Sequence, residues 1–520
     1  MDLFIKLPMV IVFFAIMIGI GIYCKKHSTD VDGFVLGGRS VGPWLTAFAY
    51  GTSYFSAVVF VGYAGQFGWK YGIAATWAGI GNALLGSLMA WWILGRRTRV
   101  MTQHLNSATM PQFFEKRFDS PGLKLAASAI IFIFLIPYTA SLYNGLSRLF
   151  GMAFNIDYSV CVIVMAVITA VYVIAGGYMA TAINDFVQGI VMIVGIVAVI
   201  AAVLNGQGGF TEALRKLGQV SDPAVSDIPG AFASFLGPDP VNLLGVVILT
   251  SLGTWGLPQM VQKFYAIKSE KAINKGMVIS TVFALIVAGG CYFLGGFGRL
   301  FSDRVDVAAE GYDAIIPAML SDLSPFLISV VVILVLSASM STLSSLVLTS
   351  SSTLTLDFIK GNLVKKMDEK HQLLSIRLLI VVFILISVVL ALIQYGSNVT
   401  FIAQLMGISW GALAGAFLAP FLFGLYWKKT TKAAVWSSFL FSTAVMLCNI
   451  FFPQYFPAVL HTPINAGVFC MLFGLILVPV VSLFTKKPEE AHIRQVFSCY
   501  ERTVTVRVTD SIGETKEEIL

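Results

Sequence analysis

Residues 337–345 read Ser-Ala-Ser-Met-Ser-Thr-Leu-Ser-Ser, and they lie inside an apolar run from 325 to 356. Hydroxyls in hydrocarbon have no water to serve them, so they must bond each other, a neighbouring helix or an ion. At helical spacing Ser337, Ser341 and Ser345 share a stripe, with Ser344 close to it and Thr342 beside it. Hard cations prefer oxygen ligands, so the stripe offers half of a cation cage. The same small residues would also let two transmembrane helices pack closely. From this stretch alone both readings stand.

Two other segments carry polar residues and glycine where an apolar span should be continuous. One is Tyr50-Gly51-Thr52-Ser53-Tyr54-Phe55-Ser56, the other Thr250-Ser251-Leu252-Gly253-Thr254-Trp255-Gly256-Leu257-Pro258. Pro258 lacks a backbone donor, and the glycines loosen the helix on either side. Unwound backbone is tolerated at membrane depth only where it lines a cavity, and paired breaks point to a transporter with a midplane site. A continuous helix with a small packing face is the plainer alternative. Asp185, in Ala182-Ile183-Asn184-Asp185-Phe186, is an acid at depth and needs a partner. A cation shared with Ser341, Ser344 and Ser345 would supply one. A helix N-terminal acid favoured by the macrodipole fits the position too.

The elements that must position these residues follow from composition. The chain has 520 residues, 57% hydrophobic and 12% charged, against roughly 25% charged in soluble domains. Its mean hydropathy is +0.84. Runs near the ~20 residues that cross a bilayer recur along it, and they predict an all-α polytopic membrane protein of about 13 transmembrane helices. The spans, numbered in chain order, are 5–24, 43–67, 71–94, 123–149, 157–175, 180–203, 241–264, 276–298, 325–356, 376–395, 399–427, 433–452 and 464–485. The breaks fall in spans 2 and 7, five spans apart, as inverted repeats of five helices require. The first span has no small-residue cleavage site after it and reads as a retained helix rather than a signal peptide. The six cysteines form no CxxC pair and the five histidines are dispersed, so neither a disulfide framework nor a metal cluster is expected.

Placing the loops after odd-numbered spans in the cytoplasm gives that side 27 of the 34 Lys and Arg. That orientation puts the N-terminus outside and the C-terminus in the cytoplasm, in a multi-pass protein of the cell membrane. It also explains the net charge of +7 through basic cytoplasmic loops rather than nucleic-acid binding. Loop 204–240, with a short helix at 211–217, and the acidic loop 301–322 then lie outside, as vestibule covers or as plain solvated loops. The polar tail begins at residue 486, and Arg502 to Thr509 alternate like a strand. No Walker loop, HExxH or GxSxG motif is present, and no loop is large enough for a nucleotide-binding domain, so an enzyme or ATP-driven pump is not expected.

Four motifs carry a resemblance to a known family: Leu36-Gly37-Gly38-Arg39-Ser40; Gly176-Gly177-Tyr178 with Asp185 and Gln188; Met340-Ser341-Thr342-Leu343-Ser344; and Gly424-Leu425-Tyr426-Trp427. With their order, they make residues 5–485 resemble the sodium:solute symporter family, which includes proline, pantothenate, sialic acid and glucose transporters. The resemblance implies a LeuT-type core, with repeats at 43–203 and 241–427, one extra helix and its loop at 1–42, an external loop at 204–240, two further helices at 428–485 and a tail at 486–520. It also implies a sodium site formed by the carbonyls of Thr52, Phe55 and Ala338 and the hydroxyls of Ser341 and Thr342. A second sodium site, present in some members, maps to Asp185, Ser341, Ser344 and Ser345. Solute is expected between the breaks, near Tyr54, Ser56, Tyr138, Thr254, Trp255 and Gln404. The chain departs from proline carriers at Tyr54, Thr250 and Thr254 and matches their aromatic set at Tyr138.

The expected function is Na+-coupled import of a small organic solute by alternating access, with an amino acid such as proline or a small carboxylate such as pantothenate as cargo. Sodium is the coupling ion and no other cofactor is expected. The alternatives are a proton-coupled carrier on the same fold, with Asp185 carrying the proton, and a solute-binding channel or receptor. Abundant hydroxyls with few buried acids weigh against the first, and the short tail weighs against a sensor.

Overall fold

The computed structural model describes residues 2–24, 30–223, 225–360, 362–364, 366–397 and 402–501, and these are nearly all helical. The strand-like alternation at 502–509 lies outside the described residues. Ten helices among them are long and apolar enough to cross a membrane, or eleven when the bent pair Pro240–Trp255 and Pro258–Ala266 counts as one span. Two of the ten, Val58–His104 and Tyr158–Gly206, have 47 and 49 residues. A helix rises about 1.5 Å per residue, so each is roughly twice the ~30 Å hydrocarbon core. Each turns at a glycine in the left-handed region, Gly72 at φ +61° and Gly177 at φ +54°. Counting each as two spans gives the thirteen expected from hydropathy.

The helix starts are written locally. Asp239, Ser324 and Thr462 each precede a proline, and their side chains accept from the backbone N–H groups of Asn242, Leu327 and Asn465. Proline at the first helical position costs nothing, because that N–H has no helical partner. Within the bundle, span 9 (Pro325–Ile359) and span 11 (Ile402–Tyr426) are 78% and 83% buried along their most apolar windows, against 28% for span 1. The serine stripe therefore sits in the centre, packed against spans 4, 5 and 6, and is not a lipid-facing surface.

Span 2 is two helices. Pro43–Tyr54 ends at Phe55 in extended backbone, and a second half runs from Val58 to Tyr71. Span 7 is likewise Pro240–Leu252, a tight turn at Gly253–Trp255, and Pro258–Ala266, with a bend of 42°. The short helix expected in loop 204–240 covers Phe210–Gln219. Loop 204–240 is pinned to the end of span 8: buried Arg299 donates to the Trp69 carbonyl at 2.6 Å and to Asp222 Oδ2 at 2.9 Å. Asp313 accepts from the Ile402 N–H at 3.2 Å at the start of span 11.

Candidate functional site

The break in span 2 leaves carbonyls without helical partners, as every helix C-terminus does. Span 9 supplies those partners. Thr342 Oγ1 lies 3.2 Å from the Thr52 carbonyl, 3.2 Å from that of Phe55 and 3.0 Å from that of Ala338. Ser341 Oγ lies 3.0 Å from the carbonyls of both Thr52 and Ala338. Three carbonyls and two hydroxyls, drawn from two elements nearly 290 residues apart in sequence, thus converge on one point. None of the five oxygens carries a formal charge. The negative end of the first half of span 2 also faces them, and both features suit a monovalent hard cation held weakly enough to leave.

The second cation set is arranged differently. Ser345 Oγ is 2.8 Å from Ser53 Oγ and accepts from Lys263 Nζ at 3.0 Å. Ser344 donates back to the Ser341 carbonyl at 2.9 Å. Asp185 is completely buried, yet among the described residues neither of its carboxylate oxygens has a hydrogen-bond partner. The charge acting on it is the ammonium of Lys263, which is itself 2% exposed and stands 5.0 Å over the Tyr178 ring. The structure thus gathers the serines but does not bring Asp185 into contact with them.

Between the two breaks, Ser56, Tyr138 and Trp410 are fully buried. The Tyr138 and Trp410 rings meet edge to face with centroids 6.1 Å apart. The Tyr138 hydroxyl lies near Ser56 and the Trp410 indole, but the hydroxyls of Ser56 and Tyr138 make no full hydrogen bond. In the same region the Tyr292 hydroxyl lies near the Asn82 amide and the Thr250 hydroxyl, but among the described residues neither it nor the Asn82 amide nitrogen makes a full hydrogen bond. Buried donors without partners beside aromatic walls are what a small amphiphilic solute would satisfy. Thr254 and Trp255 are tied to span 3 by hydrogen bonds. Thr254 Oγ1 bonds the Gly86 carbonyl at 3.0 Å and that of Ser251 at 2.8 Å, while the Trp255 indole donates to Leu85 at 2.9 Å. Gln404 is partly buried near the start of span 11. Tyr54 closes the first half of span 2, and its side chain lies outside what the structure describes.

The other sequence motifs hold the bundle around this site. A Cβ on Gly177 would approach Phe34 to 2.8 Å, so the turn between spans 5 and 6 and the segment before span 2 fit only with glycine there. Arg39 reaches across to the Ser107 carbonyl at 2.5 Å. At the end of span 11, Arg117 donates to Gly424 at 2.8 Å and to Trp427 at 3.0 Å, and Arg97 donates to Leu425 at 3.2 Å. These arginines satisfy the last carbonyls of the helix, where cations are favoured.

The fold is that of a LeuT-type secondary transporter. It superposes on the substrate-bound, outward-open Na+-coupled sialic acid symporter with a TM-score of 0.71, at 16% identity, over 94% of this chain and 99% of the other. Against the inward-facing form of Mhp1 the TM-score is 0.51 at 12% identity, over 90% and 96%. The sequence matches the sodium:solute symporter family over residues 34–440, and the chain belongs to that family. It is 31% identical over 495 residues to the sodium/proline symporter of Staphylococcus aureus strain JH9, covering 92% of this chain and 93% of the relative, and equally to that of strain JH1.

Proposed function

We propose that this chain imports a small zwitterionic or anionic solute, such as proline or pantothenate, together with sodium by alternating access. The observation that carries the proposal is the five-oxygen cage formed by Thr52, Phe55, Ala338, Ser341 and Thr342. It joins the break of span 2 to span 9, so a sodium ion there would bind best when those elements are together. Solute between the breaks would favour the same arrangement, which couples the two cargoes. Ser56, Tyr138, Tyr292, Asn82 and Trp410 are the proposed solute contacts, with Thr254 and Trp255 acting as clamps on span 3. The sodium/proline relatives and the retained Tyr138 favour an amino acid. The excess of Lys and Arg in the odd-numbered loops favours an external N-terminus and a cytoplasmic C-terminus.

The test is uptake of radiolabelled proline and pantothenate into proteoliposomes, driven in turn by an inward sodium gradient, a potassium gradient and a proton gradient. Accumulation of either solute under sodium alone is expected. Accumulation under a proton gradient in sodium-free buffer would overturn the reading.

A further inference from the structure

We propose that the ammonium of Lys263 takes the place of a second sodium ion beside Asp185, so that this chain moves one Na+ per cycle. The proposal rests on the reading that the Thr52–Thr342 cage binds sodium.

Lys263 lies on the second half of the broken span 7, five residues beyond Pro258, and is buried inside the bundle. Its ammonium meets two side chains directly. It donates to Ser345 Oγ at 3.0 Å and lies over the face of Tyr178 at 5.0 Å, while the Asp185 carboxyl, with which it makes no hydrogen bond, lies within its electrostatic reach. Among the described residues, Asp185 is the charged group that bears on Lys263, so each is the other's counter-charge. The lysine thus reaches two of the four residues that a second sodium would need, one by contact and one by its field. The Ser345 hydroxyl is already shared between Ser53 and the ammonium.

Charge balance then disfavours a mobile ion. A carboxylate and an ammonium together leave the pocket neutral, and a sodium ion added to them would be a surplus charge in a buried interior. Lysine can do this because its charge is a compact ammonium with three donors and no acceptor, the nearest side-chain analogue of a small cation. The cage at Thr342 is free of such competition, because among the described residues no cationic side chain donates to any of its five oxygens.

The test counts sodium. Equilibrium binding of radioactive sodium to the purified full chain is measured for wild type, Thr342→Val, Lys263→Gln, Lys263→Arg and the double variant Lys263→Gln/Asp185→Asn, with monodispersity checked by gel filtration. One ion per chain is expected for wild type and for Lys263→Arg. Two are expected for Lys263→Gln, where Asp185 is left to attract one, and one again for the double variant. Two ions on wild type, or a single unchanged ion on folded Lys263→Gln, would overturn the lysine assignment. If Lys263→Gln does not fold, the wild-type count decides. The cage is judged separately by Thr342→Val: sodium bound as tightly as in wild type overturns the cage reading, whatever the lysine variants do. Wild-type protein that binds no sodium overturns both.

Discussion

Thr342→Val removes one oxygen and keeps nearly the same shape, so it isolates what the hydroxyl contributes. Thr342 Oγ1 is placed within 3.2 Å of three carbonyls and is one of five oxygens in the cage. A polar contact to a charged partner contributes about 1.5–3 kcal/mol, which corresponds to roughly 10- to 150-fold in affinity. The half-saturating sodium concentration for solute uptake should rise by about that factor, while maximal uptake at saturating sodium falls much less. The apo protein should also lose some stability. Phe55's carbonyl has Thr342 as its side-chain partner, and an unsatisfied buried carbonyl costs about 1–3 kcal/mol. The Thr52 carbonyl keeps Ser341 and should be little affected. The assay is uptake against sodium concentration, paired with sodium-dependent melting of the purified variant. An unchanged sodium dependence in a folded variant would refute the argument, since it would mean that the oxygen touching all three carbonyls does not touch the ion.

Tyr138→Phe should raise KM for solute at least several-fold while leaving sodium-induced stabilisation intact, because its hydroxyl lacks a full partner inside the protein; equal loss of both effects would place Tyr138 in the scaffold. Thr254→Val should do the reverse, lowering thermal stability by about 1 kcal/mol or more with KM unchanged, since its hydroxyl is spent on Gly86 and Ser251. Gly177→Ala should cost about 1–3 kcal/mol, measured by thermal melting, because alanine meets both the left-handed backbone and Phe34. Arg117→Lys should destabilise nearly as much as Arg117→Ala in the same assay, because one ammonium cannot bond both Gly424 and Trp427 as the guanidinium does.

What was legible in the sequence was whatever is written in one stretch of chain. The serine stripe lies within nine residues, and each break carries its own glycines. Hydropathy counted thirteen spans even where two pairs of them run on as single kinked helices. What could not be read depends on distant segments meeting. Lys263 looks like a basic residue at a helix end and counts naturally with the cytoplasmic charges, yet the fold delivers its ammonium to Ser345, 82 residues away. The signal available was its place inside the span expected at 241–264, where an ionisable group is functional by default. Thr254 and Trp255 read as solute contacts because they sit at the break. Span 3 is wound as a π-helix over Asn82–Met89, and the carbonyls of Leu85 and Gly86 in that stretch accept from them, a tie the break alone does not announce. Trp410, Tyr292 and Asn82 had no local signature, since aromatic and amide side chains within spans read as ordinary packing.

The central claim is that sodium and solute bind the same closed arrangement of span 2 and span 9. Its most direct test is the melting temperature of the purified full chain against a panel of amino acids, pantothenate, sialate, small carboxylates and sugars, in sodium and in matched potassium. At least one solute should stabilise the protein in sodium and have little effect in potassium, because each cargo raises the affinity for the other. A solute that stabilises equally in both salts, with sodium adding nothing beyond potassium across a wide concentration range, would contradict it.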